Sequence, residues 1–368
     1  MRILWFPHSA NPAYAGVRLR CLLPSVALRR AGHSVTVDLQ ATAQPADVAV
    51  VQGKWLLDCG TALAMQPRVD TLQRLRGQGC RLVLDCFDNY FLNEGDDADR
   101  AALLSAFRSA LPLFDTFTVS SPGLVPFFQS ELGASARVRV IGDPIEGPGS
   151  HRWYESPAQR ANPRRWPAAV RACAGNAAVR WRRGSTRQLL WFGNHGSKYA
   201  LGGMGELARI VEPLGRASKQ VPLHLVVVSN SQARYREVLG GAPFSHSYVE
   251  WDRIHFAGFL QVHDLVVLPT ALTSFTVAKS NNRLLLPLSL GVPVMADALP
   301  DYLPWQAHFQ LGGWNDLAST LGHLGPLRER ARSAQGPIEA QYSLPAIGAA
   351  WLGLLEESVQ RREATQVP

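Results

Sequence analysis

Lys279-Ser280-Asn281-Asn282-Arg283 runs into the apolar stretch Leu284-Leu285-Leu286-Pro287-Leu288-Ser289-Leu290, and Gly291-Val292-Pro293-Val294-Met295-Ala296 follows at once. The first five residues read as a polar loop, Asn282 to Leu290 as a helix that stops at Gly291, and Val292 to Ala296 as a buried strand. Upstream, the apolar run Leu265-Val266-Val267-Leu268, bounded by Asp264 and Pro269, reads as another strand. Strand, loop, helix and strand in this order make one unit of a parallel sheet joined by crossover helices.

The same rhythm extends outward in both directions. Gln188 to Phe192 is a strand running into Gly193-Asn194-His195-Gly196-Ser197, Gly205 to Leu214 a helix, and Leu223 to Val228 and Tyr248 to Trp251 are strands. Nearer the start, strands are read at Ile3 to Phe6, Ser34 to Leu39, Asp47 to Gln52, Arg81 to Cys86, Thr116 to Ser120 and Arg137 to Ile141. Helices are read at Ala15 to Ala31, Arg68 to Gln78, Arg100 to Leu111 and Pro122 to Leu132. Pro24 lies inside the first helix, so a kink or a helix in two pieces is expected there. The fold class is therefore α/β, with two Rossmann-like doubly wound domains expected to face a cleft. A chain of 368 residues has the length for two such domains. The boundaries read as 1–150, an insertion at 151–187, 188–345, and a C-terminal helix and tail at 346–368, with helical spacing suited to packing on either domain.

Charge refines this division. Lys and Arg number 37 against 29 Asp and Glu, a net +8, but residues 151–187 hold nine arginines and the single acid Glu155. The rest of the chain carries 28 basic and 28 acidic residues and is formally neutral, unlike a domain with a basic face built for nucleic acid. Within the insertion, Val170, Cys173, Ala174, Ala177 and Trp181 fall on one helical stripe, with Arg171, Arg180, Arg182 and Arg183 around the other sides. With Trp153 and Trp166, this composition fits either an element docked on an anionic membrane surface or a solvated insertion. Cys21, Cys59, Cys80, Cys86 and Cys173 form no CxxC pair, so neither a disulfide framework nor a zinc site is expected. The longest apolar stretch is interrupted by proline and glycine and falls short of a membrane span. The expected location is the cytoplasm, or the periphery of the inner face of the membrane.

Ligands of open α/β sheets bind beyond the carboxyl ends of the strands, so four loops become candidates. The loop after the first strand lacks GxGxxG, which removes weight from a dinucleotide role, and it places Tyr14 and Arg18 where an acceptor could lie. Asp88, after the Arg81 to Cys86 strand, is a candidate to hold a hydroxyl or act as a base; capping a following turn is its plain alternative. Gly193, Asn194, Gly196, Ser197 and Lys198 would let backbone N–H groups approach a phosphate, with a hydroxyl and a cation added. Lys279, Ser280, Asn282 and Arg283 offer two cations, a hydroxyl, an amide and a helix start, which together suit a diphosphate. Lysine is scarce here, at four residues against 33 arginines, so Lys279 stands out. Ser280 or Asn281 acting merely as an N-cap is the alternative.

Taken together, these runs resemble glycosyltransferases of the GT-B fold, group-1 (family-4-like) type. The likeness is carried by Tyr248 through Asp264-Leu265-Val266-Val267-Leu268-Pro269, by Lys279 to Arg283, by Gly291-Val292-Pro293-Val294 and by Pro300-Asp301-Tyr302. In the first half it is carried by Val119-Ser120-Ser121-Pro122-Gly123-Leu124 and Val140-Ile141-Gly142-Asp143-Pro144-Ile145. It covers most of the chain apart from 151–187. One departure stands out: where many members carry paired glutamates, this sequence has Ala278 and Leu286. The resemblance implies sugar transfer from a nucleotide-sugar donor held by the C-terminal domain. The acceptor would be a glycan or lipid-linked molecule of cell-surface polysaccharide or glycolipid assembly. It implies no bound metal and no cofactor beyond the donor substrate. Lys279 and Arg283 would meet the diphosphate, and Asp88 would lie near the acceptor. The missing glutamates keep open a catalytically inactive nucleotide-sugar binding protein. A nucleotide-sugar epimerase on the same fold would need an acid/base pair that the sequence does not single out.

Overall fold

In a computed structural model of the chain, the described residues are 1–40, 44–93, 97–133, 136–160, 162–163, 166–182, 184, 186–196 and 202–365, with 168–169 and 361–365 described in backbone only. Alternating apolar runs and helices assemble two six-stranded sheets, every neighbouring pair parallel. They belong to two compact units. The first comprises Met1–Pro144 with Val277–Ser280 and Gln341–Pro368, and the second Ile145–Thr276 with Asn281–Ala340.

In the first unit the strands are β1 (Arg2–Phe6), β2 (Ser34–Val37), β3 (Val48–Gln52), β4 (Arg81–Cys86), β5 (Thr116–Val119) and β6 (Val138–Val140), in the spatial order β2-β1-β3-β4-β5-β6. β1 shows why both faces are covered. Ile3 and Trp5 enter one apolar cluster and Leu4 and Phe6 the other, so a strand buried on both sides reads as a continuous apolar run. The chain leaves β1 for β2 on one side and returns to β3 on the other, which makes the β1/β3 crevice the topological switch point.

The second unit contains β7 (Arg187–Phe192), β8 (Leu223–Ser229), β9 (Ser245–Glu250), β10 (Leu265–Leu268), β11 (Val294–Ala296) and β12 (Gln310–Leu311), ordered β12-β11-β10-β7-β8-β9. Its switch point lies between β7 and β10, whose register pairs Leu189 with Leu265. The helix Trp166–Arg182, from the arginine-rich segment, clusters with this unit. Among the described residues, no helix is long and apolar enough to cross a membrane.

Candidate functional site

Each switch point carries an unusual polar residue. In the first unit the loop after β1 places His8 beside Gln52, the last residue of β3. Gln52 Nε2 donates to Gly16 O at 2.8 Å, and His8 N donates to Gln52 Oε1 at 3.1 Å, which together fix the orientation of the amide. His8 Nδ1 lies 2.7 Å from the same oxygen, so Nδ1 carries the proton and Nε2 carries the lone pair. Nε2 is buried and has no hydrogen-bond partner among the described residues. Burial holds the pKa of His8 below its usual value, and Lys54 pushes the same way. The Gln52 bond, Asp58 and Asp88 oppose it. The product is a neutral imidazole with an idle basic nitrogen.

Aromatic rings surround it. The Tyr14 and Phe87 ring centres lie 5.5 and 5.9 Å from that of His8, and the Lys54 ammonium sits 5.6 Å from the Tyr14 ring centre. Tyr14 is exposed at the mouth of this loop, as an acceptor contact would require. Arg18 differs from its expected role: it is buried, and its Nη1 donates to Pro12 O at 2.8 Å and Ala13 O at 3.0 Å, bracing the loop from beneath. Asp88 and Lys279, which the sequence assigns separately to acceptor and donor, form an ion pair within the first unit. The segment Val277–Ser280 is fixed there by further bonds. Ser121 Oγ donates to Ala278 O at 2.7 Å and Ser280 Oγ to Asp143 Oδ2 at 2.9 Å. Ser280 is therefore engaged with a carboxylate. Ala278 and Leu286, at the glutamate positions of the resemblance, are both buried and apolar.

In the second unit the critical residue is Arg283, in the first turn of the helix Asn282–Ser289. Its guanidinium crosses the carboxyl end of β7. Nη2 donates to Phe192 O, and Cζ lies 5.3 Å from the Trp191 ring centre and 5.4 Å from that of Phe192. A Cβ at Gly193 would stand 3.1 Å from Arg283 Nη2, so glycine makes room for the cation. Among the described residues no carboxylate pairs with Arg283, and its buried Nε has no partner. Glu206, whose charge it feels, is hydrogen-bonded to Ala271 N at 2.6 Å and to Arg209 Nη1 at 3.4 Å. Tyr302, buried and pushed up to about 12, stays neutral and supplies no counter-charge. Burial consequently lowers the pKa of Arg283, although a guanidinium remains protonated.

Nearby, Gly193 O accepts from Ser229 Oγ at 2.7 Å, and Asn194 O accepts from Met204 N at 3.1 Å. Asn194 Oδ1 accepts from Gly196 N at 3.4 Å, shaping the turn from within. Ser197 and Lys198 lie outside the described residues. Asn282 occupies the first position of its helix, where backbone N–H groups are free of intrahelical partners. Among the described residues, no three His, Cys, Asp or Glu side chains gather as a metal site would require. The sequence does not single out His8. The available signal was its position, directly beyond an apolar strand at the end of a sheet.

No family model matches the chain, and no curated protein matches it. Solved structures do. HepE of Anabaena in complex with UDP superposes with a TM-score of 0.64 at 14% identity over 97% of this chain and 100% of that one. Sucrose-phosphate synthase of Thermosynechococcus elongatus gives 0.59 at 14% identity, covering 96% and 98%. A glycosyltransferase of Rickettsia africae gives 0.58 at 9% identity, covering 97% and 98%. The fold is that of GT-B glycosyltransferases, with two Rossmann-like domains.

Proposed function

We propose that the protein is a nucleotide-sugar-dependent glycosyltransferase, acting on a glycan or lipid-linked acceptor in cell-surface polysaccharide or glycolipid assembly. The observation that carries this reading is Arg283, a largely buried cation with no carboxylate partner among the described residues. It stands at the switch point of a sheet, against a glycine and beside a helix start. An uncompensated buried charge is costly, and an anionic ligand removes the cost. HepE, of the same fold, was solved with UDP, whose diphosphate carries the required charge, and with UDP and glucose.

In the proposed step the bond from the anomeric carbon to the diphosphate breaks and its electron pair leaves with the nucleotide diphosphate. Arg283 and the N–H groups at Asn282 meet that growing charge, which makes them more effective in the transition state than in the ground state. The resident cations of the chain fill this role in the proposal, without a bound metal. The acceptor hydroxyl forms the new bond to the anomeric carbon and gives its proton to a base, a role for which His8 Nε2 is the first unit's candidate. The Asp88–Lys279 pair lies in the same unit as His8.

Isothermal titration with UDP tests the assignment. Arg283→Ala is expected to weaken affinity about ten- to a hundredfold, the range for hydrogen bonds to a charged group. Unchanged affinity would overturn it. A second reading, a binding protein without turnover, is favoured by the apolar Ala278 and Leu286. It predicts UDP binding with neither hydrolysis nor transfer across a panel of nucleotide sugars.

A further inference from the structure

The helix Trp166–Arg182 packs on the second unit through Ala172 and Val179, which are 8% and 2% exposed. At about 100° per residue, Trp166, Val170, Cys173, Ala177 and Trp181 fall within a sector of about 80° on a different side. That sector faces solvent. Trp166 is 70% exposed, Val170 67% and Trp181 85%, and Cys173 and Ala177 are exposed too. The apolar stripe of this helix is thus the side left uncovered, the reverse of what core packing would produce.

By helical position Arg180 borders the stripe, and the rest of the segment is rich in arginine. Arg152, Arg160, Arg171 and Arg180 are exposed. The single acid of the segment, Glu155, is buried in an ion pair with Arg253. Glu250, which pairs with Arg171 at 3.7 Å, lies at the end of β9. Trp181 also forms one wall of a pocket of about 500 Å³, with Arg182 and His224 beside it.

We infer that the outer face of this helix is a docking surface for anionic phospholipid, with Trp166 and Trp181 entering the headgroup layer and the arginines neutralising its charge. Indole rings have an apolar body and a polar edge suited to that layer, and arginine gains from a negative surface potential. Self-association through the same face would set arginine against arginine. The inference does not depend on sugar transfer: UDP binding measured without lipid reports on Arg283 and is untouched by its success or failure.

Cosedimentation of the full chain with vesicles of phosphatidylcholine alone, or of phosphatidylcholine with phosphatidylglycerol, tests it. Binding is expected only with the anionic vesicles, weakened severalfold between about 0.1 M and about 0.5 M salt. The double substitution Trp166→Ala, Trp181→Ala is expected to weaken it at least about tenfold, and Arg180→Glu at least about fivefold. Near-UV circular dichroism checks that each variant is folded. In the unmodified protein, brominated acyl chains are expected to quench tryptophan emission, a readout that needs no variant. Equal binding to neutral vesicles, undiminished binding by a folded tryptophan variant, or no cosedimentation would each overturn the proposal. So would a tryptophan-dependent dimer, or tryptophan-dependent oligonucleotide binding, in a protein that ignores the vesicles.

Discussion

His8 and Arg283 show two outcomes of burying a titratable group. Arg283 cannot lose its proton, so burial leaves a charge with no carboxylate paired to it among the described residues. His8 can, so the same desolvation keeps it neutral and basic. Because the pKa of His8 lies below 6.5, the rate of transfer is expected to rise with pH along a limb centred below 6.5. Gln52→Glu would place a carboxylate on Nδ1, favour the imidazolium and move that limb to higher pH. His8→Gln should remove the limb and lower kcat about a hundredfold or more. A limb unmoved in Gln52→Glu would show that His8 is not the titrating base. The same sign applies to stability: below 6.5 the unfolded chain takes up the proton that buried His8 resists, so His8 contributes a loss of stability as pH falls through that value. Arg283→Met, by contrast, removes a buried charge. Its expected outcome is lost UDP binding with a melting temperature unchanged or raised, a separation that would not arise if Arg283 were simply structural.

The first helix shows how far the sequence reading reaches for a single element. Pro24 marked the break, and the structure has Ala15–Val17 and Leu23–Arg30 as α-helix with the π-helical Arg18–Leu22 between them. The wider turn accommodates the proline, which has no N–H for a regular bond to Arg20 O. It also turns Arg20 inward, which helical periodicity did not reveal, because arginine counts as polar exterior in such a pattern. Arg20 is 1% exposed; its Nε and Nη2 donate to the two oxygens of Asp85 at 3.3 and 2.5 Å, and Nη1 reaches Asp143 at 3.4 Å. Asp143 in turn accepts from Ser280, which ties the Val277–Ser280 segment to the buried network. Arg20→Met should cost about 3–5 kcal/mol by leaving buried carboxylates without their cation, and Arg20→Lys should recover little, since one ammonium lacks the bidentate fork. Urea unfolding would measure both; a loss below about 1 kcal/mol would show that the network relaxes into solvent. Other elements escaped for related reasons. Gln232–Leu239 and Leu324–Ser333 are short and arginine-rich, and β12 has two residues, too few for any period. The sequence predicts one helix over Gly205 to Leu214, yet the structure has 3₁₀ turns over Gly203–Ile210 before the α-helix Val211–Ser218. The Lys279–Asp88 pair spans 191 positions, and no local pattern encodes a contact of that range.

At the scale of the whole molecule, the sequence left one question open: which unit receives the last helix. Leu344–Thr365 completes the first unit. Trp351 is fully buried against Trp5 of β1, ring centres 5.0 Å apart, with the Arg20 guanidinium 5.3 Å from the Trp351 ring centre. Ile347, Leu354 and Leu355 fill the same cluster, and Arg139 pairs with Glu357 at 3.0 Å. One face of the first sheet is thus finished by residues more than 200 positions downstream, after the second unit has been built. All six strands of that sheet lie within the first 144 residues, so a strand count alone would call this stretch self-sufficient. Exposing the face that Trp5, Val50 and Val83 share with the helix argues otherwise, since an uncovered parallel sheet face of this size leaves large apolar groups in water. Trp351→Ala should lower the stability of the first unit by about 3–5 kcal/mol. A chain ending at residue 343 should lose protease resistance throughout residues 1–144, while UDP affinity, assigned to Gly193 and Arg283 in the other unit, stays within about twofold. Limited proteolysis with mass mapping, alongside titration, separates the two effects. Intact residues 1–144 in the shortened chain would show that the sheet closes without its C-terminal helix, and a parallel collapse of UDP binding would show that the two units fold as one.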